Sequence, residues 1–175
     1  ELNNPEKKIP QVIHIAGTNG KGSTLSFIKA GLEYNNKLVH AYTSPHLVAF
    51  NERIVISGAI ISNSLLENYL RRCELKNRNR SITFFEITTC AAFLAFSENQ
   101  ADYTLLEVGL GGRLDATNVI EKPLLSIITP ISIDHQQFLG STIQEIATEK
   151  AGILKPKGCA IIAKQDRDAL KIIKK

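Results

Sequence analysis

The chain has 175 residues, 43% of them hydrophobic and 22% charged, the balance of a globular domain long enough to bury one sizeable core. The net charge of +4 is modest, and Lys and Arg gather at positions 71–80 and at the last residues rather than along a stripe with interleaved aromatics; this disfavours nucleic-acid binding and suits an anionic small molecule. Three scattered cysteines without a C-x-x-C argue for buried reduced thiols over a disulfide framework or a zinc site, and no apolar run is long enough to predict a membrane span.

In chain order, Gln11–Ala16 is a short apolar, β-branched run and reads as a buried strand. Ser23–Tyr34 carries Leu25, Ile28 and Leu32 at helical spacing, and Leu38–Thr43 reads as the next strand, a βαβ unit of about thirty residues. Arg53–Ser57 is a candidate short strand. Ser62 is placed to cap a helix with Leu65, Leu66, Tyr69, Leu70 and Cys73 on one face. The basic, Asn-rich Lys76–Ser81 reads as a loop and Phe84–Ser97 as a buried helix. Tyr103–Val108, Leu124–Thr129 and Cys159–Ala163 are further strands, with a helix at Thr142–Lys150 between the last two. The first two of these strands are apolar on both faces, the mark of central parallel strands. The alternation predicts an α/β fold, an open and mostly parallel sheet with helices on both faces, whose ligands bind beyond the carboxyl ends of the strands.

The polar motifs fall at those ends. Gly17-Thr18-Asn19-Gly20-Lys21-Gly22-Ser23 lies between a strand and a helix, where backbone N–H groups can wrap a phosphate, Lys21 can reach its terminal oxygens and Ser23 can ligate Mg²⁺. The match to a standard phosphate loop departs at Ile15 and Gly22, and a flexible turn with a solvated Lys is the plain alternative. Glu107 and Asp115 flank the glycine-rich Gly109–Arg113, either as a strand-end carboxylate for Mg²⁺ or as a turn whose Glu faces solvent. His135, after Asp134, is either a ligand or a satisfied structural histidine. Glu149-Lys150 near the end of a short helix reads on its own as a solvated face. Thr43-Ser44-Pro45-His46-Leu47 is a stiff turn whose Ser44 could face the phosphate loop, or an ordinary polar turn.

Together the segments HIAGTNGKGST, TSPHLVAFNERIVISG, TFFEITTCAAFLAF, LLEVGLGGRLDATN, ISIDHQQFLG and IATEKAGILKP, spread over Ile9 to Ala163, resemble the folylpolyglutamate synthase/dihydrofolate synthase branch of the Mur ligase superfamily. The resemblance implies the P-loop NTPase-like central domain of a Mur ligase. It implies an ADP-forming ligase that joins dihydropteroate or a tetrahydrofolyl-glutamate to L-glutamate through an acyl phosphate. Carried over by position, Gly17–Ser23 is the ATP loop. One Mg²⁺ is held by Ser23, Ser44 and Glu107, and a second bridges Glu107 and His135. Lys150 matches a lysine that can carry an N-carbamate. Ser44, Pro45, His46 and Arg53, with Thr83 and Phe85, resemble the pterin pocket, and Lys21, Glu107, His135 and Lys150 are the expected catalytic set.

Family members normally continue into a Rossmann-like second domain, which this reading expects to be missing from a single truncated domain over residues 1–175. The absence of any methionine, even at position 1, reads the same way. The N-terminus does not resemble a secretory signal, so the expected protein is a cytoplasmic monomer. Its partners are small molecules, with neither nucleic acid nor membrane. A nucleotide-binding or vestigial module without turnover, and a Mur-type ligase for peptidoglycan precursors, are the competing readings.

Overall fold

A computed structural model describes residues 2–175. In chain order the strands are β1 (Gln11–Ala16), β2 (Val39–Tyr42), β3 (Ile54–Ile56), β4 (Ala59–Ile60), β5 (Tyr103–Glu107), β6 (Leu125–Ile128) and β7 (Ala160–Ile162). The helices are α1 (Lys21–Tyr34), α2 (Asn63–Asn77), α3 (Phe84–Glu98), α4 (Gln136–Leu139), α5 (Ile143–Ala151) and α6 (Arg167–Ile173). The strands form one sheet in the order β4-β3-β2-β5-β1-β6-β7, in which β2, β5, β1, β6 and β7 run parallel. β3 and β4 add an antiparallel hairpin at one edge.

The alternation of side chains along each strand assigns the two faces. Val12, Ala16, Leu106 and Ile128 pack under α2, α3, α5 and α6, while Ile13, Ile15, Leu105 and Ile127 pack under α1. Strands buried on both faces need apolar residues at successive positions, which is why β1, β5 and β6 read as near-continuous hydrophobic runs. The expected α/β architecture is the observed one.

Local chemistry sets the helix starts. At α3, Thr83 Oγ1 accepts the Glu86 N–H at 3.2 Å and the Glu86 carboxylate accepts the Thr83 N–H at 2.8 Å. Thr142 and Glu145 repeat that reciprocal pair at α5, and Ser62 caps α2. α1 is different: its cap is Gly20 at φ +83, with no side chain satisfying its first N–H groups.

Several expectations change. α1 begins at Lys21, two residues early, because Gly20 makes the entry turn. α2 runs through Lys76 and Asn77, which were expected in a loop. The hairpin partner β4 was not anticipated; Ser57 and Gly58, both at positive φ, form the two-residue turn between the strands. Only Cys73 is a buried thiol, since Cys90 is half-buried and Cys159 exposed on the edge beside β7. Among the described residues no helix is long and apolar enough to cross a membrane.

Candidate active site

Parallel pairing puts the carboxyl ends of β2, β5, β1 and β6 side by side on one rim of the sheet. The loop leaving β1 is anchored at both ends. Gly17 has φ +143, and a Cβ there would collide with the Thr129 hydroxyl at the end of β6, so only glycine fits. Thr18 N–H and Asn19 N–H both donate to Pro130 O, at 3.0 and 3.4 Å. The Thr18 hydroxyl donates to Ser132 O and accepts the Ser132 N–H, both at 3.1 Å. These two amides are therefore committed to protein. The N–H groups of Gly20, Lys21, Gly22 and Ser23 find no protein acceptor among the described residues. Four unpaired donors at the positive end of a 14-residue helix form an anion cradle.

Glu107 ends β5, the strand between β2 and β1, and is 4% exposed. Its Oε2 accepts the Ser44 N–H at 3.1 Å, and a Cβ built on Gly22 would lie 3.8 Å from the same oxygen. Burial raises its carboxyl above the usual range, while the Ser44 N–H and the nearby Lys21 ammonium pull the other way. Lys21 Nζ donates to Thr18 O at 3.3 Å. Glu107, Lys21 and Ser44 thus meet at the cradle, as the residue pattern predicts. The solvent-facing alternative for Glu107 does not hold.

Lys150 also overturns its plain reading as a solvated helix residue. It is 3% exposed, and its Nζ donates to Gly17 O at 3.0 Å. Burial and the neighbouring Lys21 ammonium lower it to about 8, with Asp134 opposing. His135 is less engaged. It sits at φ +48 before α4, its ring about half exposed and 3.6 Å from Asp134, the one charged partner its ring has among the described residues. Asp134 acts on Lys150 through its charge, and Ser132 braces the phosphate loop; sequence reasoning singled out neither as a site residue.

On the β2 side, His46, Phe50 and Phe84 form a chain of edge-on rings, with centroids 5.8 and 5.5 Å apart. Arg53 donates to His46 Nδ1 at 3.0 Å and lies over Phe50. Pro45 is exposed beside them. Phe85 turns inward to Tyr42 and Gly109. Thr83 is occupied in capping α3. Glu52, inside the Ser44–Arg53 stretch but not singled out by sequence reasoning, accepts the N–H groups of Leu47, Val48 and Ala49 at 2.8, 3.0 and 2.8 Å and shapes the segment.

Among the described residues no three of His, Cys, Asp and Glu gather as a metal cage. The donor at the cradle, the buried Glu107 carboxylate beside the helix N-terminus, instead suits Mg²⁺, which takes one or two carboxylates and completes its shell with phosphate oxygens and water. The residues present fit that ion when it arrives with a phosphorylated ligand.

A cradle of unpaired N–H groups at the first β–α corner, faced by a buried carboxylate from the adjacent strand, is the arrangement of an α/β domain of the P-loop type. The chain belongs to the Mur ligase middle domain family, whose model matches residues 15–175. It is similar to the dihydrofolate synthase/folylpolyglutamate synthase of Bacillus subtilis, 44% identical over 180 residues, which cover 99% of this chain and 41% of that protein. The dihydrofolate synthetase of Saccharomyces cerevisiae is 43% identical over 157 residues, 87% of this chain and 36% of that protein. Among solved structures, E. coli FolC in complex with ADP superposes with a TM-score of 0.91 at 34% identity, covering 99% of this chain and 42% of that one. An FPGS–AMPPCP complex gives 0.90 at 38% identity, with 99% and 44% covered. The chain spans about two fifths of the length of these relatives.

Proposed function

We propose that this chain is the nucleotide-binding part of an ATP-dependent ligase that joins a folate-type carboxylate, dihydropteroate or a tetrahydrofolyl-glutamate, to L-glutamate, releasing ADP and phosphate. The observation that carries the proposal is the buried Glu107, bonded to Ser44 N–H and set beside Gly22 and Lys21 at an open helix N-terminus. Support comes from the relatives: E. coli FolC has been solved with DHPP and ADP, and an FPGS with AMPPCP and folate.

A carboxylate is a poor electrophile, so the substrate must first be activated. Its oxygen attacks the γ-phosphorus of ATP, the bond to the ADP oxygen breaks, and an acyl phosphate forms. The glutamate amine then attacks the acyl carbon, loses a proton, and expels phosphate to leave an amide. The first step brings two anions together. The N–H groups of Gly20–Ser23 and the Lys21 ammonium hold the triphosphate and offset that repulsion. Ser23, Ser44 and Glu107 would hold one Mg²⁺, and Glu107 with His135 a second. Bound there, Mg²⁺ neutralises phosphate charge.

Lys150, lowered to about 8, keeps part of its amine neutral near physiological pH, the form that combines with CO₂. A carbamate there retains one N–H for Gly17 O and adds a negative charge close to Lys21. His46, Phe50, Arg53 and Phe84, with Ser44, Pro45, Thr83 and Phe85 around them, form the acceptor wall in this reading. The glutamate site and a Rossmann-like second domain are assigned to the part of the relatives that this chain does not cover. In this reading the protein is a cytoplasmic monomer; its three free thiols fit a reducing compartment.

The test is ADP release by the full-length protein given Mg²⁺, ATP, L-glutamate and either dihydropteroate or tetrahydrofolate. Acceptor-dependent ADP is expected; none with either acceptor would refute the proposal.

A further inference from the structure

His14 lies in the middle of β1, fully buried, and has no role in the site described above. Its Nε2 is 2.9 Å from Thr117 Oγ1, and its Nδ1 has no partner. Thr117 is equally buried, and its hydroxyl and N–H lie 2.5 and 2.9 Å from Asp115 Oδ1. Asp115 Oδ2 accepts the N–H groups of Gly109 and Leu110, both at 3.0 Å.

Proton counting fixes the direction of this chain. A carboxylate only accepts, so the single Thr117 hydroxyl proton points to Asp115, and the Thr117 oxygen accepts from His14 Nε2–H. The ring is the neutral Nε2–H tautomer, because a second proton on Nδ1 would meet no acceptor. A one-way relay therefore runs from His14 through Thr117 to Asp115, whose other oxygen clamps the turn leaving β5.

The clamp acts on a narrow target. Glu107 is held independently, by its pairing with Ile15 and by the Val108 N–H donated to Ile15 O at 2.9 Å. The first residues beyond that ladder are Gly109 and Leu110, the two that Asp115 holds. Gly109 lies against Phe85, so closely that a Cβ would stand 2.5 Å from its Cζ. The relay thus sets the backbone behind the acceptor wall and leaves the carboxylate at the phosphate end alone.

We propose that His14 is a positioning residue for the acceptor substrate, acting through Thr117 and Asp115 on the Gly109–Leu110 turn. The assignment to the acceptor rests on the ligase reading; the mechanical link to the turn does not. In the full-length protein, His14→Leu is expected to raise the acceptor KM about tenfold and leave the calorimetric ATP Kd within about twofold. It should also speed hydrogen exchange across residues 108–112 by about tenfold, read by mass spectrometry. His14→Gln, whose amide N–H can replace Nε2–H, should restore both. If His14→Leu does not fold, Thr117→Val removes the hydroxyl at nearly constant shape and gives the same readings. Unchanged exchange, a Gln variant no better than Leu, or ATP affinity falling in step with acceptor affinity would overturn the proposal. A wild-type protein that binds ATP and makes no amide would refute the ligase reading, while the exchange measurement still decides the relay.

Discussion

On the side of the cleft that we propose binds phosphate, the groups assigned to the ligand stand on strand ends or are pinned to them. Glu107 closes β5, Lys150 is bonded to Gly17 O, and the loop from Gly17 to Ser23 is laced to Pro130 and Ser132. The side proposed for the acceptor is built from connections instead. Leu47 is 93% exposed and Val48 89%, and the segment between β2 and β3 keeps its shape largely through one carboxylate, Glu52, taking three N–H groups. The sheet fixes where charge must be placed within tenths of an ångström, and the loops leave room for a different acceptor to be fitted. Changes on one side should therefore leave the other nearly untouched.

The largest break is expected at Lys21. Lys21→Ala should lower turnover by about a thousandfold while acceptor affinity stays within about threefold; equal loss of both would join the two halves that the geometry separates. Glu52→Ala should do the reverse. By releasing the Leu47–Ala49 backbone it is expected to weaken acceptor binding about tenfold in a fluorescence titration and leave ATP affinity alone. A fall in ATP affinity would show that the β2–β3 segment also shapes the phosphate loop.

The smallest effect concerns Lys150 and pH. Burial, then Lys21, lower its ammonium from 10.5 to about 8, so between those values the native state binds fewer protons than the unfolded chain. Stability then rises with pH across that window, and the cost of the buried charge is fully present below it. In carbonate-free buffer, wild type should gain on Lys150→Met by at most about 1.4 kcal/mol per pH unit there. A difference flat in pH would return Lys150 to a solvated role.

Much of this was legible from residue pattern. β1 matches its expected limits, α3 is one residue longer than expected, and the Ser62 cap is where its hydroxyl and the apolar face behind it require. Strand-end placement put Lys21, Ser44 and Glu107 on one rim, where the structure also has them, with Ser44 engaged through its N–H rather than its hydroxyl; a parallel sheet leaves few other places for polar turns after apolar runs. What was not legible depends on tertiary contact. Taken on its own Lys150 looks like any charged residue on a short helix, and only the family resemblance marks it; its burial and its bond to the Gly17 carbonyl, 133 positions away, appear only in the fold. Glu52 lies within a recognised segment but nothing in the pattern singles it out; its role arises because the chain folds back so that three amides face one carboxylate. β4 is two residues long and exposed, too short for any periodicity, although the Ser57-Gly58 turn was a usable signal.

The central claim is that Glu107 holds the Mg²⁺ of a triphosphate gripped at the first β–α corner. Calorimetric titration of ATP into wild-type and Glu107→Gln protein, over a series of Mg²⁺ concentrations, tests it most directly. Wild type should bind ATP more tightly as Mg²⁺ rises, and the variant should lose that dependence while still binding metal-free ATP through the loop. An identical Mg²⁺ dependence in both proteins would contradict the claim.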